Sequence, residues 1–465
     1  LEAVGCKDWL TNKVDRSVTG KVAKQQCAGE LQLPLNNLGA VALDYRGKNG
    51  LATSIGHAPA AGLVDPKAGS VLSIAEALTN IIWAPLADHI RSVSLSANWM
   101  WPCKNPGEDA RLYHAVQAAS DFAIALGINI PTGKDSLSMT QKYKDGVVFS
   151  PGTVIISAAA EVSDVRKIVE PVLVNDLSTS LIYIDLSGDE LKLGGSSFAQ
   201  SLNLLGTDAP TVIDPVLFAN GFNTIQKLIE SGKVLAGHDI SAGGLITCLL
   251  EMNFANIEGG LSIDLDKGSK ADIIRQLFAE NPGVVIQVND APAIMAELQS
   301  AGVPCSIIGK PVKDRVLNIK TISGTIILEI DELREKWYRS SYLLDRKQSG
   351  EKHAAARFAN FKYQNLIYNF KHFTGKFSSY EIDPFRRVKT GVRAAIIREK
   401  GVNGDREMAY MMHLAGFDVK DVHMTDLISG RETLEDLNLI VFVGGFSNSD
   451  VLGSAKGWAG TFRYK

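Results

Sequence analysis

The stretch Ser73-Ile-Ala-Glu-Ala-Leu-Thr-Asn80 decides how the rest of the chain is interpreted. Glu76 and Asn80 are four residues apart, so on a helix their side chains lie on one face and offer a carboxylate and an amide carbonyl to a common point. Such an oxygen-rich corner suits Mg²⁺. A separate apolar stripe can bury the helix: Ile74, Leu78 and Ile81. On this stretch alone, an exposed polar pair is the more ordinary interpretation.

Length and composition indicate a globular protein of roughly three domains, with 465 residues of which 45% are apolar and 21% charged. A net charge of -3 and a pI near 6.3 give no reason to expect nucleic acid or an anionic membrane as a partner. The five cysteines form no Cys-x-x-Cys pair, which predicts reduced thiols. No apolar run approaches the roughly 18 residues of a membrane span, and the first residues do not form a signal peptide. We therefore expect a cytoplasmic protein with no membrane partner.

The alternation of strand and helix patterns predicts an α/β and α+β multidomain fold. Residues 38–44 and 51–55 resemble two strands of a hairpin, joined by a turn-forming segment. A second unit begins with an apolar strand at residues 180–184, and from residue 261 to about 329 short strands alternate with helices in a mixed α/β layer. From Thr390 onward, a strand, helix, strand, strand series predicts a parallel sheet.

Two glycine-containing stretches are candidate ligand loops. Gly133-Lys-Asp-Ser136 combines close backbone approach, charge, hydroxyl and carboxylate. It lacks the spacing of a Walker A loop, and a solvated turn fits it at least as well. Gly194-Gly-Ser-Ser197 precedes a helix pattern, so it either presents N-H groups to an anion or serves as a plain helix cap.

The stretch His238-Asp-Ile-Ser-Ala-Gly-Gly244 gives a stronger signal. It places Asp239 and Ser241 at the end of a strand and beside a glycine-rich helix start, where a metal carboxylate, a hydroxyl and phosphate-binding amides all fit. Helix capping by either residue stays open as an alternative. His238 has no second histidine nearby, so we expect it to form hydrogen bonds and not to bind a metal.

Residues 346–390 are basic, with ten Lys or Arg against three Asp or Glu, and aromatic residues are interspersed. Nucleic-acid binding is one interpretation of such a stretch. We favour a tether across the protein surface, because nothing else in the chain is basic.

Taken together, these motifs resemble the phosphoribosylformylglycinamidine synthase family in its large single-chain form. The matching segments lie along nearly the whole chain: 15–20, 56–59, 76–80, 96–100, 105–109, 133–138, 238–244, 401–408 and 444–458. The resemblance implies the second of two related synthetase halves, followed by the opening of a glutaminase domain.

The implied domains follow the resemblance in order. An arm (1–30) precedes N and C domains similar to aminoimidazole ribonucleotide synthetase (31–165 and 166–335). A basic aromatic linker (336–390) leads into an incomplete flavodoxin-like class I glutaminase domain (391–465). The family uses ATP and ammonia derived from glutamine to convert formylglycinamide ribonucleotide to its amidine.

The resemblance also implies site residues. An auxiliary ADP or ATP with Mg²⁺ is expected in this half. The implied metal ligands are Asn37, Glu76, Asn80 and Asp239. The implied nucleotide contacts are Asn36, Ser241, Gly243 and Gly244. Candidates for substrate or phosphate are Gly133, Lys134, Asp135, Ser136, Gly194, Gly195 and Ser196. Gly444 and Gly445 resemble the oxyanion loop of the glutaminase.

Two departures from the family pattern bear on these expectations. Many members have an aspartate ligand where this chain has Asn37, so weaker Mg²⁺ binding is expected. Members usually have Phe-Ser-Tyr-Gly-Asp where this chain has Phe446-Ser-Asn-Ser-Asp450. No cysteine follows Cys305, so the glutaminase nucleophile is expected beyond Lys465, and the missing first half is expected as a partner. A non-catalytic nucleotide scaffold and a stand-alone relative of aminoimidazole ribonucleotide synthetase are the alternatives.

Overall fold

Two mixed sheets and the helices that cover them form the first unit of the computed structural model, residues 1–366, and a small parallel sheet forms the second, residues 367–465. The described residues are 3–11, 14, 16–45, 47–265, 272–365, 372, 374–451 and 453–465. Within these ranges, no helix is long and apolar enough to cross a membrane.

The first part of the unit is a six-stranded sheet with helices packed against it. Its elements are α1 (Asp8–Thr11), β1 (Val22–Lys24), β2 (Gly39–Ala42), β3 (Gly50–His57), α2 (Pro59–Val64), α3 (Pro66–Ile81), β4 (Ser94–Met100), α4 (Glu108–Leu126), β5 (Asn129–Ser136) and β8 (Thr153–Val162). The strand order is β1-β2-β3-β8-β4-β5, and only β4 and β5 pair in parallel. A separate hairpin consists of β6 (Thr140–Tyr143) and β7 (Gly146–Phe149).

The helix expected around Glu76 is α3, and it begins with strong local signals. The side chain of Asp65 accepts from the Lys67 N-H at 2.9 Å, and Pro66 occupies the first helical position. The predicted apolar stripe is fully buried at Ile74, Leu78 and Ile81. The predicted hairpin is also confirmed, because β2 and β3 pair antiparallel.

The second part of the unit is a seven-stranded sheet. Its elements are β9 (Ser180–Asp185), α5 (Ser197–Ser201), α6 (Pro215–Glu230), β10 (Val234–Asp239), α7 (Gly244–Phe254), β11 (Gly260–Asp264), α8 (Ile273–Phe278), β12 (Gly283–Val288), α9 (Ala291–Ser300), β13 (Cys305–Val312), β14 (Val316–Thr321) and β15 (Gly324–Glu329). The strand order is β10-β12-β9-β13-β11-β14-β15. This is the mixed layer that the sequence predicts.

The two parts share one hydrophobic core, which fixes their mutual position. Phe122 of α4 meets Phe218 of α6 edge to face, with ring centroids 5.8 Å apart. Gln226 of α6 is fully buried and bonds to the backbone that follows α3. It donates to Ala84 O at 2.9 Å, also donates to Ile82 O, and accepts from Leu86 N at 2.8 Å. The segment after α3 is therefore held directly against the second part.

Residues 330–360 form two helices, α10 (Ile330–Ser349) and α11 (Glu351–Asn360), where the sequence suggests that a linker begins at 336. Tyr338 of α10 is buried, and its ring stacks on Phe361 at 3.8 Å between centroids. The aromatic residues of this stretch thus form a packed core, so its first part differs from the expected tether. The expected arm also contributes structure, because residues 22–24 form a strand of the first sheet.

The second unit contains the parallel sheet expected from Thr390 onward. Its elements are β16 (Arg393–Arg398), α12 (Asp405–Leu414), β17 (Asp418–His423), α13 (Met424–Ile428), β18 (Leu439–Phe442) and α14 (Ser454–Tyr464). β16 lies between β17 and β18 and pairs in parallel with both. Buried Ala394 and Ile396 face one side of the sheet, while Ala395 and Ile397 face the other.

Candidate functional site

Strand β3 and helix α3 approach closely and orient the pair predicted as ligands. A Cβ atom on Gly56 would lie 2.2 Å from Ser73 O and 2.3 Å from Ala77 N, so only glycine permits this approach. The His57 N-H donates to Glu76 Oε2 at 2.6 Å. Asn80 Nδ2 donates to Ile55 O at 3.2 Å, which leaves the amide oxygen available for a ligand.

A second close approach brings strand β10 to the same place. A Cβ atom on Gly237 would lie 2.0 Å from the Trp83 ring, so glycine lets this ring cover the strand. With the Asn37 amide oriented so that Oδ1 accepts from the Trp83 indole N-H at 2.7 Å, its Nδ2 faces His238 Nδ1 at 2.9 Å and Asp239 Oδ1 at 3.3 Å. In this orientation the nitrogen of Asn37 faces Asp239, so the amide would have to turn to bind a cation through its oxygen.

Asp239 ends β10 and has one carboxylate oxygen without a partner. Its side chain is 2% exposed. Oδ1 lies 3.0 Å from His238 Nδ1, whereas Oδ2 is buried with no hydrogen-bond partner among the described residues. A buried carboxylate oxygen is costly unless it is paired, so this atom fits a position where a ligand binds. The expected hydrogen-bonding role of His238 agrees with its contacts, since Nε2 lies 3.1 Å from Glu251 Oε2.

These segments line one cavity of about 1230 Å³, which we call the larger cavity. The predicted residues that it brings together are Asn36, Asn37, Glu76, Asn80, Asp239 and Ser241. Its wall also includes three basic residues absent from the sequence prediction: Lys7, Arg16 and Lys24. No group of three or more His, Cys, Asp or Glu side chains in the described part of the chain is arranged to hold a metal. Glu76 and Asp239 offer carboxylate oxygens to this cavity, and its asparagines offer amide oxygens. A third carboxylate on the wall, Glu251, is already bonded to His238 and Trp337.

Burial shifts the protonation equilibria around the larger cavity. Burial raises the pKa of Glu76 to about 8; the His57 N-H opposes this rise, and the charges of Asp239 and Glu280 add to it. Burial disfavours the charged form of His238, but its bonds to Asp239 and Glu251 outweigh that effect and raise its pKa to about 10. Burial and the charge of Lys7 lower the pKa of His57. A cation would compensate the two clustered carboxylates.

A smaller cavity of about 160 Å³ adjoins the first and shares Glu76 and Ser241 with it. Gly194 and Gly195 line it, as does Glu280. Glu280 Oε1 accepts from Ser197 N at 2.8 Å and from Gly243 N at 2.7 Å. The amides predicted to bind an external anion at these two helix starts therefore bind an internal carboxylate, which is a correction to the sequence prediction.

The other two predicted residues of these loops, Ser196 and Gly244, have structural roles. Ser196 is 1% exposed, and its Oγ accepts from Ala199 N at 3.2 Å as the cap of α5. Ser196 is thus the plain helix cap that the sequence allowed as the alternative to anion binding. A Cβ on Gly244 would lie 2.7 Å from Leu277 O, so this glycine permits close packing and does not line either cavity.

The stretch Gly133-Lys-Asp-Ser136 is the end of strand β5 and not a loop. It pairs in parallel with β4, and a Cβ on Gly133 would lie 2.3 Å from Ala97 O. Lys134 and Asp135 are exposed and line neither cavity. Lys134 bonds to Ser136 instead. The expected phosphate loop is thus corrected to an edge strand, whose glycine serves strand packing.

Gly444 and Gly445 follow β18 in the second unit, where the sequence predicts a ligand loop. Gly445 has a φ of 134°, a backbone conformation that favours glycine. A Cβ there would lie 2.6 Å from Gly401 O, and the Asn403 N-H donates to Gly444 O at 3.1 Å. The loop therefore packs on the segment that follows β16.

Three family models match successive parts of the chain. They are described as an FGAR-AT PurM_N-like domain (residues 6–161), the C-terminal domain of an AIR synthase related protein (180–321) and a CobB/CobQ-like glutamine amidotransferase domain (391–465). Human phosphoribosylformylglycinamidine synthase is 40% identical over 99% of the chain. Over its whole length, the chain is a homologue of phosphoribosylformylglycinamidine synthase. The resemblance inferred from the motifs is thereby confirmed.

Other relatives named as this synthase extend the comparison. The Dictyostelium discoideum enzyme is 37% identical over 100% of the chain, and the probable enzyme of Caenorhabditis elegans is 40% identical over 99%. The chain spans only about a third of the length of these relatives: 34% of the human, 36% of the Dictyostelium and 36% of the Caenorhabditis protein.

Solved structures of the synthase family show the same fold. Thermotoga maritima PurL complexed with FGAR has a TM-score of 0.51 and 16% identity, covering 64% of this chain and 48% of that one. Phosphoribosylformylglycinamidine synthase II from the same organism has a TM-score of 0.51 and 13% identity, covering 64% of this chain and 46% of that one. These matches confirm the predicted synthetase-like N and C domains.

Some residues around the site lay outside the sequence prediction. Trp83 and Glu280 reach it through contacts between distant segments, which no local spacing reveals. Glu251 did carry a signal, because it is the single charged residue of the otherwise uncharged α7. Such a residue in a buried helix indicates a specific polar partner.

Proposed function

We propose that the chain forms part of an ATP- and glutamine-dependent ligase that converts formylglycinamide ribonucleotide to its amidine in purine biosynthesis. In this proposal, the larger cavity holds an auxiliary ADP or ATP with Mg²⁺. The relatives named as the synthase support the reaction class. The observation that carries the nucleotide site is the buried, unpartnered Oδ2 of Asp239 on a cavity that it shares with Glu76.

The proposed ligands combine charge and neutral oxygen. Glu76 and Asp239 would supply carboxylate oxygens, and Asn80 an amide oxygen, the donors that Mg²⁺ prefers. Asn37 would join them only after its amide turns. A bound Mg²⁺ would neutralise part of the phosphate charge, while Lys7 and Arg16 on the cavity wall would attract the rest.

Asn36 and Ser241 are the proposed nucleotide contacts. Asn36 Nδ2 donates to Gln25 O at 2.5 Å and to Cys27 O at 3.1 Å, so its amide oxygen is the atom left for a ligand. Ser241 lines both cavities and is suited to contact phosphate or ribose oxygens. For the ribonucleotide substrate, we propose the smaller cavity, with Gly194 and Gly195 on its wall.

The second unit is proposed to contribute to the glutaminase that supplies ammonia. Gly444 and Gly445 would present backbone N-H groups to an oxyanion. Residues 391–465 contain no cysteine, so the thiol nucleophile would come from another part of the enzyme. The first synthetase half is the other proposed partner. We also propose the cytoplasm as the location, since all five cysteines are free.

Calorimetric titration with Mg-ADP tests the site. The chain should bind Mg-ADP, and removing Mg²⁺ with a chelator should weaken binding. Glu76→Gln and Asp239→Asn should each weaken it by about tenfold or more, because a charged ligand is lost. Glu297→Gln is the matched control, since Glu297 pairs with Lys233 on the surface. A chain that binds neither Mg-ADP nor Mg-ATP would overturn the proposed site.

The ligase reaction is tested by reconstitution. Mixing the chain with a separately produced first synthetase half should yield amidine from ammonia, ATP and formylglycinamide ribonucleotide. Amidine formation that needs both proteins supports the ligase proposal. If the two proteins associate and bind nucleotide but form no amidine, a non-catalytic nucleotide scaffold becomes the better description.

A further inference from the structure

A series of four side chains joins the wall of the larger cavity to helix α10: three of them line the cavity, and the fourth, Trp337, belongs to α10. Asp239 Oδ1 lies 3.0 Å from His238 Nδ1, and His238 Nε2 lies 3.1 Å from Glu251 Oε2. The Trp337 indole N-H then donates to Glu251 Oε1 at 3.1 Å. The four residues come from three elements: β10, α7 and α10.

We propose that Glu251 and Trp337 are positioning residues for the nucleotide site, acting through His238 on the carboxylate of Asp239. The inference rests on the proposed nucleotide function and extends it to the regulation of that site by α10.

The bonding of the series leaves one atom for a ligand. Both ring nitrogens of His238 face a carboxylate, and each oxygen of Glu251 has one partner in the series. Asn37 Nδ2 flanks the series, 2.9 Å from His238 Nδ1 and 3.3 Å from Asp239 Oδ1. Asp239 uses Oδ1 within the series, and its Oδ2 has no partner in the described part of the chain. Asp239 lines the larger cavity together with His238 and Glu251, so the position of its carboxylate there depends on its bond to His238 and on the bonds that hold His238 in place.

Packing alone does not account for these polar groups. Glu251 is the single charged residue of α7, and its side chain is 18% exposed, whereas Leu249 and Met252 of the same helix are fully buried. Burying a carboxylate is costly without compensating bonds, and an apolar residue would fill the same space. Replacing a residue that hydrogen-bonds to a metal ligand, or that holds such a residue in place, commonly changes metal affinity by about 10–100-fold.

Trp337 also makes structural contacts that hold α10 in place. Trp337 is 9% exposed, and its ring packs on Phe254 with centroids 5.2 Å apart. Its carbonyl oxygen accepts from Cys6 N at 3.1 Å, which attaches the amino-terminal segment to the helix. Ligand binding at Asp239 and the order of α10 should therefore influence each other, because such coupling is reciprocal.

The variant Trp337→Phe tests the proposal, since it removes the indole N-H and keeps an aromatic ring against Phe254. The matched control is Trp9→Phe. The Trp9 backbone N-H donates to Ser341 Oγ of α10 at 2.7 Å, but its indole Nε1 is buried with no partner among the described residues. We expect Trp337→Phe to weaken Mg-ADP binding about tenfold and Trp9→Phe to change it less than twofold. Equal effects of the two variants would overturn the proposal.

The indole N-H signal of Trp337 in a ¹H-¹⁵N spectrum gives a second readout. It is assigned as the signal that is absent from the spectrum of Trp337→Phe. Adding Mg-ADP to the wild-type chain should shift it, while the Trp9 signal stays in place. Mg-ADP binding without a shift would overturn the positioning role and leave the proposed function intact. If the chain does not bind Mg-ADP at all, the proposed function fails. The coupling between Asp239 and Trp337 is then tested in the ligand-free variant Asp239→Asn. A shift of the Trp337 signal in that variant supports it, and an unchanged signal overturns it.

Discussion

The backbone N-H of His57 donates to Glu76 Oε2 across 2.6 Å, so strand β3 fixes one oxygen of a carboxylate that faces both cavities. Burial nevertheless raises the pKa of this carboxyl group to about 8. The unfolded chain would titrate it near its ordinary value of about 4.3. Between these two pH values the folded state holds the extra proton, so the contribution of Glu76 to stability falls as the pH rises through this window.

Glu76→Gln should therefore stabilise the ligand-free chain at alkaline pH while it weakens nucleotide binding. Glutamine keeps an oxygen for the His57 N-H and cannot ionise. In urea unfolding at pH 8.5, the variant should be more stable than the wild type by roughly 1 kcal/mol or more, and the difference should vanish near pH 4. Glu297→Gln on the surface should show no such pH dependence. Equal stabilities of Glu76→Gln and wild type at pH 8.5 would contradict the burial argument.

Gly56→Ala should disrupt the contact between β3 and α3. The new Cβ would lie 2.2 Å from a backbone oxygen of Ser73 and 2.3 Å from the backbone nitrogen of Ala77, and neither atom can move by side-chain rotation. We expect a loss of about 2–3 kcal/mol in unfolding free energy. Gly39→Ala in the neighbouring strand is the control, because its nearest atom would be Thr53 Oγ1 at 3.8 Å. Similar losses for both variants would show that strand propensity matters here and close packing does not.

The sequence predicted those parts of the site that depend on local order. Helix α3 follows from its cap and its apolar stripe, and the spacing of Glu76 and Asn80 then places both on one face. Asp239 at a strand end follows from the β10 pattern and the glycines after it. These signals lie within short windows, so one sequence suffices to find them.

Contacts between distant segments were not predictable from spacing. The stretch Gly133–Ser136 has the composition of a ligand loop, but pairing with β4 makes it a strand. In the same way, the amides of Ser197 and Gly243 suit an anion, and the fold supplies that anion as Glu280. In both cases the local composition suited a ligand, but contacts with distant segments determined which partner these residues have.

Gln226→Leu should lower stability, because Gln226 joins the two parts of the first unit. Its fully buried amide bonds to three backbone groups, including Leu86 N at 2.8 Å and Ala84 O at 2.9 Å. Leucine would leave these groups buried and unsatisfied, at a cost of about 2–4 kcal/mol in chemical unfolding. The exposed Gln141 provides a control as Gln141→Leu, which should change stability by less than about 0.5 kcal/mol. A small effect of Gln226→Leu would mean that other groups satisfy the freed backbone.

Limited trypsin digestion should cut between residues 376 and 389 well before it cuts within 346–357. Lys376, Arg387 and Lys389 are exposed in a segment that has only a short 3₁₀ turn. Lys347 is also exposed but lies within α10, and the buried Tyr338 of that helix stacks on the buried Phe361. Cleavage there requires local unfolding of a packed helix, whereas the later sites need little rearrangement. Mass spectrometry of the first fragments checks the order, and early cleavage at Lys347 would show that α10 and α11 do not form a stable pair in solution.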